Sequence, residues 1–321
     1  MSIKDEVLRR LEDGDGAAIS GEALAKELCV SRNAVFKAVS SLRADGYDVL
    51  SSHGGYSLSP QSVALSTHGI KKYLSDERFD VSVFGEVDST NTVVKDMAER
   101  GGREWSVVVA EKQSAGRGRL GRTFLSPRGT GVYFSLLLRP HLPVEQTLKI
   151  TVAAAVAARR SIEKNSGKRA EIKWVNDIYV GGRKVCGILT EASIDAELSS
   201  LRYAVVGVGI NISEPQGGFD GEIKNVAGAI SETSTGSLRA RVIADFLCEF
   251  AHIYDAGLEG CIDEYRSCQY LDGKDIIVLR GDEKKSAKAL FVDENCRLFV
   301  RFDDGTEDSL GSGEVSTKIK T

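Results

Sequence analysis

The residues best suited to chemistry are concentrated in one stretch, Gln113-Ser114-Ala115-Gly116-Arg117-Gly118-Arg119-Leu120-Gly121-Arg122. Three glycines let the backbone approach a ligand closely. Three arginines supply planar forks for carboxylate or phosphate. Elsewhere, Ser89-Thr90-Asn91 packs three small polar side chains together, and these can either hydrogen-bond a polar ligand or cap a helix. Lys184 stands where a strand re-enters after Gly181-Gly182, able to point a charge inward or outward. Taken alone, the arginine stretch reads as an anion-binding loop, or as a solvated Arg/Gly loop of the kind that touches RNA.

Two generic phosphate patterns fit the stretch and both fail on context. Gly116-x-Gly118-x-x-Gly121 satisfies the dinucleotide pattern, and Gly116-x-x-x-x-Gly121-Arg122-Thr123 lies one residue from a Walker A loop. Both need a helix to begin at their end, because the phosphate rests on its N-terminus. Here Phe124-Leu125-Ser126-Pro127-Arg128-Gly129 follows, and then a strand.

The elements that must position these groups come from periodicity. Apolar runs at Trp105 to Ala110 and Gly131 to Leu138 read as strands on either side of the loop. Val81 to Phe84 is a strand leading into Gly85-Glu86-Val87-Asp88-Ser89-Thr90-Asn91, followed by a helix over Thr92 to Arg100. Val144 to Glu163 is a long alanine-rich helix. In Ala170 to Val180 the pair Asn176-Asp177 interrupts an apolar run as a turn or bulge. Gly181-Gly182-Arg183-Lys184 is a hairpin turn, and Val185 to Glu191 returns as its partner strand. Tyr203 to Asn211 is a buried strand whose alternate glycines, Gly207 and Gly209, suit close approach by a flat ligand. Asn211 at its end either binds that ligand or caps a turn. Residues 238 to 270 read as helical.

The first 60 residues are organised differently. Ser20 caps a short helix to Leu28, and after Cys29-Val30 Ser31 caps a second helix to about Asp45. Ala34, Val35, Ala38, Val39 and Leu42 form its buried stripe. Its other face carries Arg32, Asn33, Lys37, Ser40 and Arg43, with no acidic residue between Ser31 and Ala44. A hairpin around His53-Gly54-Gly55 follows as a wing. Helix, turn, helix and wing make a winged helix-turn-helix, with Ser31, Arg32, Asn33, Lys37, Ser40 and Arg43 as its DNA face. The wing tip holds His53 and no Lys or Arg.

The totals exclude several classes. The 321 residues suggest two or three domains. A net charge of −4 argues against a general nucleic-acid coat but not against a local, sequence-specific reader. The best apolar span, Ile150 to Ala158, is a short buried helix, not a membrane span, so no membrane association is expected. Six irregularly spaced cysteines indicate reduced thiols in a cytoplasmic protein. Four scattered histidines offer no metal-ligand cluster.

In order, five motifs resemble those of biotin protein ligases, in the bifunctional ligase/repressor form. Gly85-Glu86-Val87-Asp88-Ser89-Thr90-Asn91 is similar to the family's opening signature, and Gln113-x-Ala115-Gly116-Arg117-Gly118-Arg119-x-Gly121-Arg122 to its Gly/Arg loop. Lys173-Trp174-Val175-Asn176-Asp177 is similar to its Lys-Trp-Pro-Asn-Asp block, Arg183-Lys184-Val185-x-Gly187-Ile188-Leu189 to the strand after it, and Gly207-x-Gly209-Ile210-Asn211 to its last strand. Together with the winged helix, the resemblance covers essentially the whole chain. Val175 departs from the family's proline, and Phe124 stands where a tryptophan is common, so it lacks the indole donor.

The resemblance implies an α+β fold. A winged helix-turn-helix occupies residues 1–62 and a linker 63–80. A mixed-sheet catalytic domain of the class II synthetase/biotin ligase type follows at 81–270, and an SH3-like β-barrel at 271–321. It implies ATP and biotin as substrates, with Mg²⁺, and biotinyl-adenylate as intermediate. The acceptor is a lysine of a carboxylase's biotin carboxyl carrier domain. Ser89, Thr90, Asn91, Gln113, Arg117, Gly118, Arg119, Lys184 and Gly187 would bind biotin. Arg119, Arg122, Phe124, Lys173, Asn176 and Asn211 would bind ATP, and Arg117, Arg119 and Lys184 would act in catalysis. Attack of a carboxylate on the α-phosphate brings two anions together, and such donors offset that repulsion. The attached reader implies a repressor that binds operator DNA as a dimer when loaded with biotinyl-AMP. A lipoate-type ligase, or a biotin sensor without ligase activity, are the competing readings.

Overall fold

The computed structural model describes residues 2–195, 200–311 and 315–319. The last residues assigned to the C-terminal barrel, Lys320 and Thr321, lie outside this range. The N-terminal unit contains α1 (Ile3–Asp13), α2 (Gly21–Glu27), α3 (Arg32–Ala44) and a wing of β1 (Val49–Ser52) and β2 (Gly55–Leu58). Each helix starts at a serine whose hydroxyl accepts an amide three residues on: Ser2 from Asp5, Ser20 from Ala23 and Ser31 from Ala34. Val7, Leu8 and Leu11 of α1 pack with Leu24, Val35, Val39 and Leu42 in one core. Ala34 is only partly buried, at the edge of the expected stripe.

The linker is bonded on both sides. It contains α4 (Thr67–Lys71). Ser66 Oγ lies 2.5 Å from Glu12 Oε1. His68 Nε2 is 2.8 Å from Asp13 Oδ1 and Lys72 Nζ 2.7 Å from Asp15 Oδ1. Tyr47 of the reader donates to the Leu65 carbonyl at 2.8 Å.

The central domain runs β3 (Asp80–Phe84), α5 (Thr90–Glu99), β4 (Ser106–Ala110), β5 (Gly131–Leu138), α6 (Thr147–Ser166), β6 (Ala170–Lys173), β7 (Asp177–Val180), β8 (Arg183–Asp195), β9 (Ser200–Asn211), α7 (Gly236–Asp255) and α8 (Ile262–Ser267). Its seven-stranded sheet has the order β3-β4-β5-β9-β8-β7-β6. Only β3 and β4 pair in parallel, so the sheet is mixed. On one face lies the alanine-rich α6, with Ala153 to Ala158 fully buried, backed by Phe246 and Phe250 of α7. Each such buried aromatic contributes roughly 1.5–3 kcal/mol. On the other face α5 buries Val94 and Ala98 against Val108, Leu137 and Val205.

The C-terminal sheet is antiparallel, with β10 (Asp275–Arg280), β11 (Glu283–Val292), β12 (Leu298–Phe302), β13 (Glu307–Leu310) and β14 (Val315–Ile319) in the order β13-β12-β11-β10-β14. Its core joins that of the central domain.

Candidate active site

A cleft of about 650 Å³ opens over β8 and β9, and the Gly/Arg loop forms one wall. The loop is folded back on itself. Gly118 N donates to Arg122 O at 2.7 Å, Phe124 N to Gly116 O at 2.9 Å, and Arg117 bridges Thr123. Residues 119–121 make one 3-10 turn, with Leu120 at φ 55° and Gly121 at φ 71°. No α-helix follows, so the phosphate patterns lack their context here as they do in the sequence.

The opposite wall is a network of amides and hydroxyls. Ser89 begins α5, but its side chain makes no capping bond and is buried at the cleft. Gln113 Oε1 accepts from Thr90 N at 2.9 Å, and Gln113 Nε2 donates to Ser126 Oγ at 2.8 Å. Asn91 Oδ1 lies 2.6 Å from Ser135 Oγ, and Asn91 Nδ2 donates to Glu191 Oε2 at 2.7 Å. This network orients Thr90 and Asn91 before any ligand arrives. Burial raises the Glu191 pKa, but the Lys95 and Asn91 hydrogen bonds and the charges of Lys95 and Arg117 outweigh it and hold the carboxylate below its usual range.

The cations converge from three elements. Arg117 is exposed and donates to Thr92 Oγ1 at 3.0 Å. Arg119 is half-buried and donates to Asn176 Oδ1 at 3.2 Å. Burial lowers the Arg119 pKa, with Asp177 opposing. Lys184, at the start of β8, has Nζ 2.6 Å from Asp177 Oδ1. Lys173 and Arg122 also line the cleft, Lys173 Nζ lying 5.8 Å from the Tyr179 ring centroid. Asn176 sits in the turn between β6 and β7, where Lys173 pairs with Asp177. The Trp174–Val175 peptide in that turn is cis. Trp174 Nε1 donates at 2.9 Å to the Cys296 carbonyl, in the turn between β11 and β12 of the C-terminal sheet, and Tyr265 Oη to the Val175 carbonyl at 3.0 Å.

Glycines make room on the cleft floor. A Cβ at Gly209 would lie 2.4 Å from the Phe124 ring, and one at Gly187 3.2 Å from it. A Cβ at Gly207 would fall 2.1 Å from Asn91 Oδ1. The flat group over this strip is therefore the chain's own Phe124, with Asn91 beside it. Asn211 behaves differently from its neighbours in the motif. Its amide donates to the Gly228 carbonyl at 3.0 Å, and it is not among the residues lining the cleft. It holds the 223–228 segment, whose Val226 carbonyl accepts from Lys184 N at 2.7 Å.

Sequence reasoning missed Asp177, the one carboxylate among the described lining residues, and the stacked pair Tyr179 and Tyr270, with centroids 4.6 Å apart. The Asn-Asp pair inside an apolar run was the available signal for Asp177. Tyr270 carried none, because it comes from a distant turn.

On the DNA reader, Asn33 and Lys37 are exposed on α3. Arg32 pairs with Glu22 of α2. Ser31 is the helix cap, and Ser40 Oγ donates to the Phe36 carbonyl at 3.0 Å. The Arg43 guanidinium turns to the wing, donating to the Val49 carbonyl and to Ser51 Oγ at 2.7 Å. Phe36, missed in the sequence, stands 56% exposed among them.

Among the described residues no group of three or more His, Cys, Asp or Glu side chains is set to hold a metal ion. No described helix is long and apolar enough to cross a membrane. The six cysteines form no disulfide.

A winged helix-turn-helix joined to a mixed-sheet domain, whose cleft gathers cations opposite an amide and hydroxyl wall, defines a DNA-reading protein with a ligase-type anion site. The biotin/lipoate A/B protein ligase family model matches residues 83–211, and a model of an HTH domain matches residues 4–57. The bifunctional ligase/repressor BirA of Bacillus subtilis is 35% identical over 257 residues, covering 79% of this chain and 78% of the relative. Its counterpart in Bacillus spizizenii is 34% identical with the same coverage. The solved biotin protein ligase from Aquifex aeolicus in complex with biotin and ATP superposes with a TM-score of 0.62 at 25% identity, covering 75% of this chain and 99% of that one. The chain belongs to the biotin protein ligase family, in its bifunctional ligase/repressor form.

Proposed function

We propose that this protein is an ATP-dependent biotin protein ligase that also represses transcription. A biotin carboxylate oxygen attacks the α-phosphorus of ATP, forming biotinyl-5'-AMP as pyrophosphate leaves. A lysine amine of a carboxylase's biotin carboxyl carrier domain then attacks the carbonyl, forming the amide and releasing AMP. The observation that carries this reading is the convergence of Arg117, Arg119 and Lys184 on one cleft walled by Ser89, Thr90, Asn91 and Gln113.

Each residue has work in that scheme. Ser89, Thr90, Asn91 and Gln113 hold the uncharged end of biotin, with Gly118 and Gly187 lining the cleft beside it. Arg117, Arg119 and Lys184 offset the repulsion between carboxylate and phosphate, each charge-assisted bond contributing roughly 1.5–3 kcal/mol. Arg122, Phe124, Lys173 and Asn176 serve the nucleotide. Asn211 supports that end of the cleft through the 223–228 segment. Mg²⁺ would be held chiefly by the phosphates whose charge it neutralises, since the Asn176 and Asp177 oxygens in the cleft are already engaged by Arg119 and Lys184.

The repressor function uses α3 as major-groove reader, with Asn33 and Lys37 foremost, and requires a dimer on two half-sites of operator DNA. The dimer forms with biotinyl-AMP bound, as the ligand orders the Gly/Arg loop. Six unpaired thiols support a cytoplasmic location.

The test is ATP-dependent transfer of biotin to a purified carrier domain, with lipoate in a parallel arm. Transfer of biotin alone supports the reading, and preferential transfer of lipoate replaces it. Biotin binding with no transfer would leave a sensor.

A further inference from the structure

Arg239 of α7 is fully buried, and its fork joins segments far apart in the sequence. Nε donates to the Gly131 carbonyl at 2.9 Å. Nη1 donates to Glu111 Oε2 at 2.8 Å and to the Val63 carbonyl. The second oxygen of Glu111 accepts from the Leu65 amide. Glu111 ends one stem of the Gly/Arg loop, two residues before Gln113. Gly131 opens the other stem, opposite Asn211 on β9. Val63 and Leu65 belong to the connector that leads to the DNA reader. The connector also meets α7 through Gly236 N, which donates to the Ser62 carbonyl at 2.7 Å. A Cβ at Gly129 would lie 3.5 Å from the Val63 side chain, so the connector packs on the far end of the loop.

Burying an arginine and a glutamate together is no efficient route to stability, since apolar residues of similar volume often serve as well. What a fork adds is register: it indexes three acceptors on three segments at once. Arg239 is absent from the cleft lining, so any effect on ligand passes through the stems.

Resting on the ligase reading above, we propose that Arg239 is a positioning residue that sets both stems of the Gly/Arg loop and the connector in a single register. Loop and DNA reader then share one anchor, and a change in the loop is felt at residues 62–66.

The test uses the full chain with Arg239→Lys, which keeps the charge but loses the fork. Biotin transfer to a carrier domain gives KM and kcat, and amide hydrogen exchange is followed at residues 113–129 and 62–66. The expected result is a biotin KM raised about tenfold with kcat within about twofold, and faster exchange in both segments together. Ile253→Val, a core change on the same helix, is the control that lowers stability and leaves both readouts unmoved. Should Arg239→Lys fail to fold, the double variant Glu111→Gln with Arg239→Gln carries the test with no unpaired buried charge. An unchanged KM, or faster exchange in one segment alone, overturns the proposal. A wild-type chain that transfers no biotin would remove the ligase reading, while the exchange at the two segments still decides whether the anchor exists.

Discussion

Lys184 Nζ lies 2.6 Å from Asp177 Oδ1, across the two-glycine turn that joins β7 to β8. The carboxylate thus holds the ammonium at the cleft before an anionic substrate arrives. Lys184→Ala is expected to lower kcat/KM by roughly 10²-fold or more, the scale of losing one oxyanion-type donor. Asp177→Asn leaves the charge but not its orientation, so a loss of about tenfold is expected, equivalent to ~1.4 kcal/mol. Steady-state biotin transfer measures both. Equal activity of Asp177→Asn and wild type would show that the pair positions nothing.

Arg119 reaches Asn176 from the loop, closing the cleft at one corner. Arg119→Gly removes a fork and loosens the backbone. The reactive adenylate should escape, and biotinylation of unrelated proteins in the same tube should rise. Unchanged adenylate retention would count against the loop as a cover.

Phe124 rests on the floor made by Gly187 and Gly209. Gly209→Ala puts a methyl group into the ring's place and forces Phe124 out, at a cost of about 1–3 kcal/mol as for other overpacking. Biotin transfer should fall by about tenfold or more, and the thermal midpoint should drop by a few degrees. A Gly209→Ala protein with wild-type kinetics would show that the ring position is immaterial.

Glu12 is half-buried where α1 meets the connector, beside Ser66, His68, Asp13 and Lys72. Burial raises its pKa, with the Ser66 hydrogen bond opposing. A raised carboxyl contributes stability that is present below its ordinary value and is lost as pH rises through the folded one. Glu12→Gln should therefore match wild type in mildly acidic buffer and exceed it at neutral pH, by about 2 °C in thermal midpoint. Thermal melts across pH 4 to 8 check this, and a gap that narrows toward neutrality would contradict it.

Lys37 stands exposed on α3, whereas Arg32 and Arg43 are paired within the reader. Lys37→Ala should weaken operator binding and reduce the salt dependence by about one phosphate contact. Arg43→Ala should act instead through the wing, lowering stability more than the salt slope. Titrations at several salt concentrations separate the two.

Much of the site was legible because its residues sit in short motifs. Ser89 to Asn91, Gln113 to Arg122, and Lys173 to Asp177 each form a local element, and the fold brings them to one cleft. What escaped depends on partners far along the chain. Arg239 and Glu111 are 128 positions apart, and neither carries a local signal. Helix α1 escaped because Val7, Leu8 and Leu11 are interleaved with charged residues. Asn211 reads in the sequence as a ligand contact or a turn cap, and the Gly228 carbonyl to which its amide donates carries no signal near it in the chain. Strands β13 and β14 are short and polar, and they pair only once the C-terminal sheet exists.

The Trp174–Cys296 hydrogen bond bears on how this chain can be taken apart. The turn carrying Asn176 leans on the C-terminal sheet as an arch leans on an abutment. The catalytic region is therefore not a cassette that ends with α8. A shortened enzyme for labelling work would have to keep the sheet or rebuild the acceptor for the indole N–H. Exchanging C-terminal sheets between relatives should alter nucleotide affinity before it alters biotin affinity.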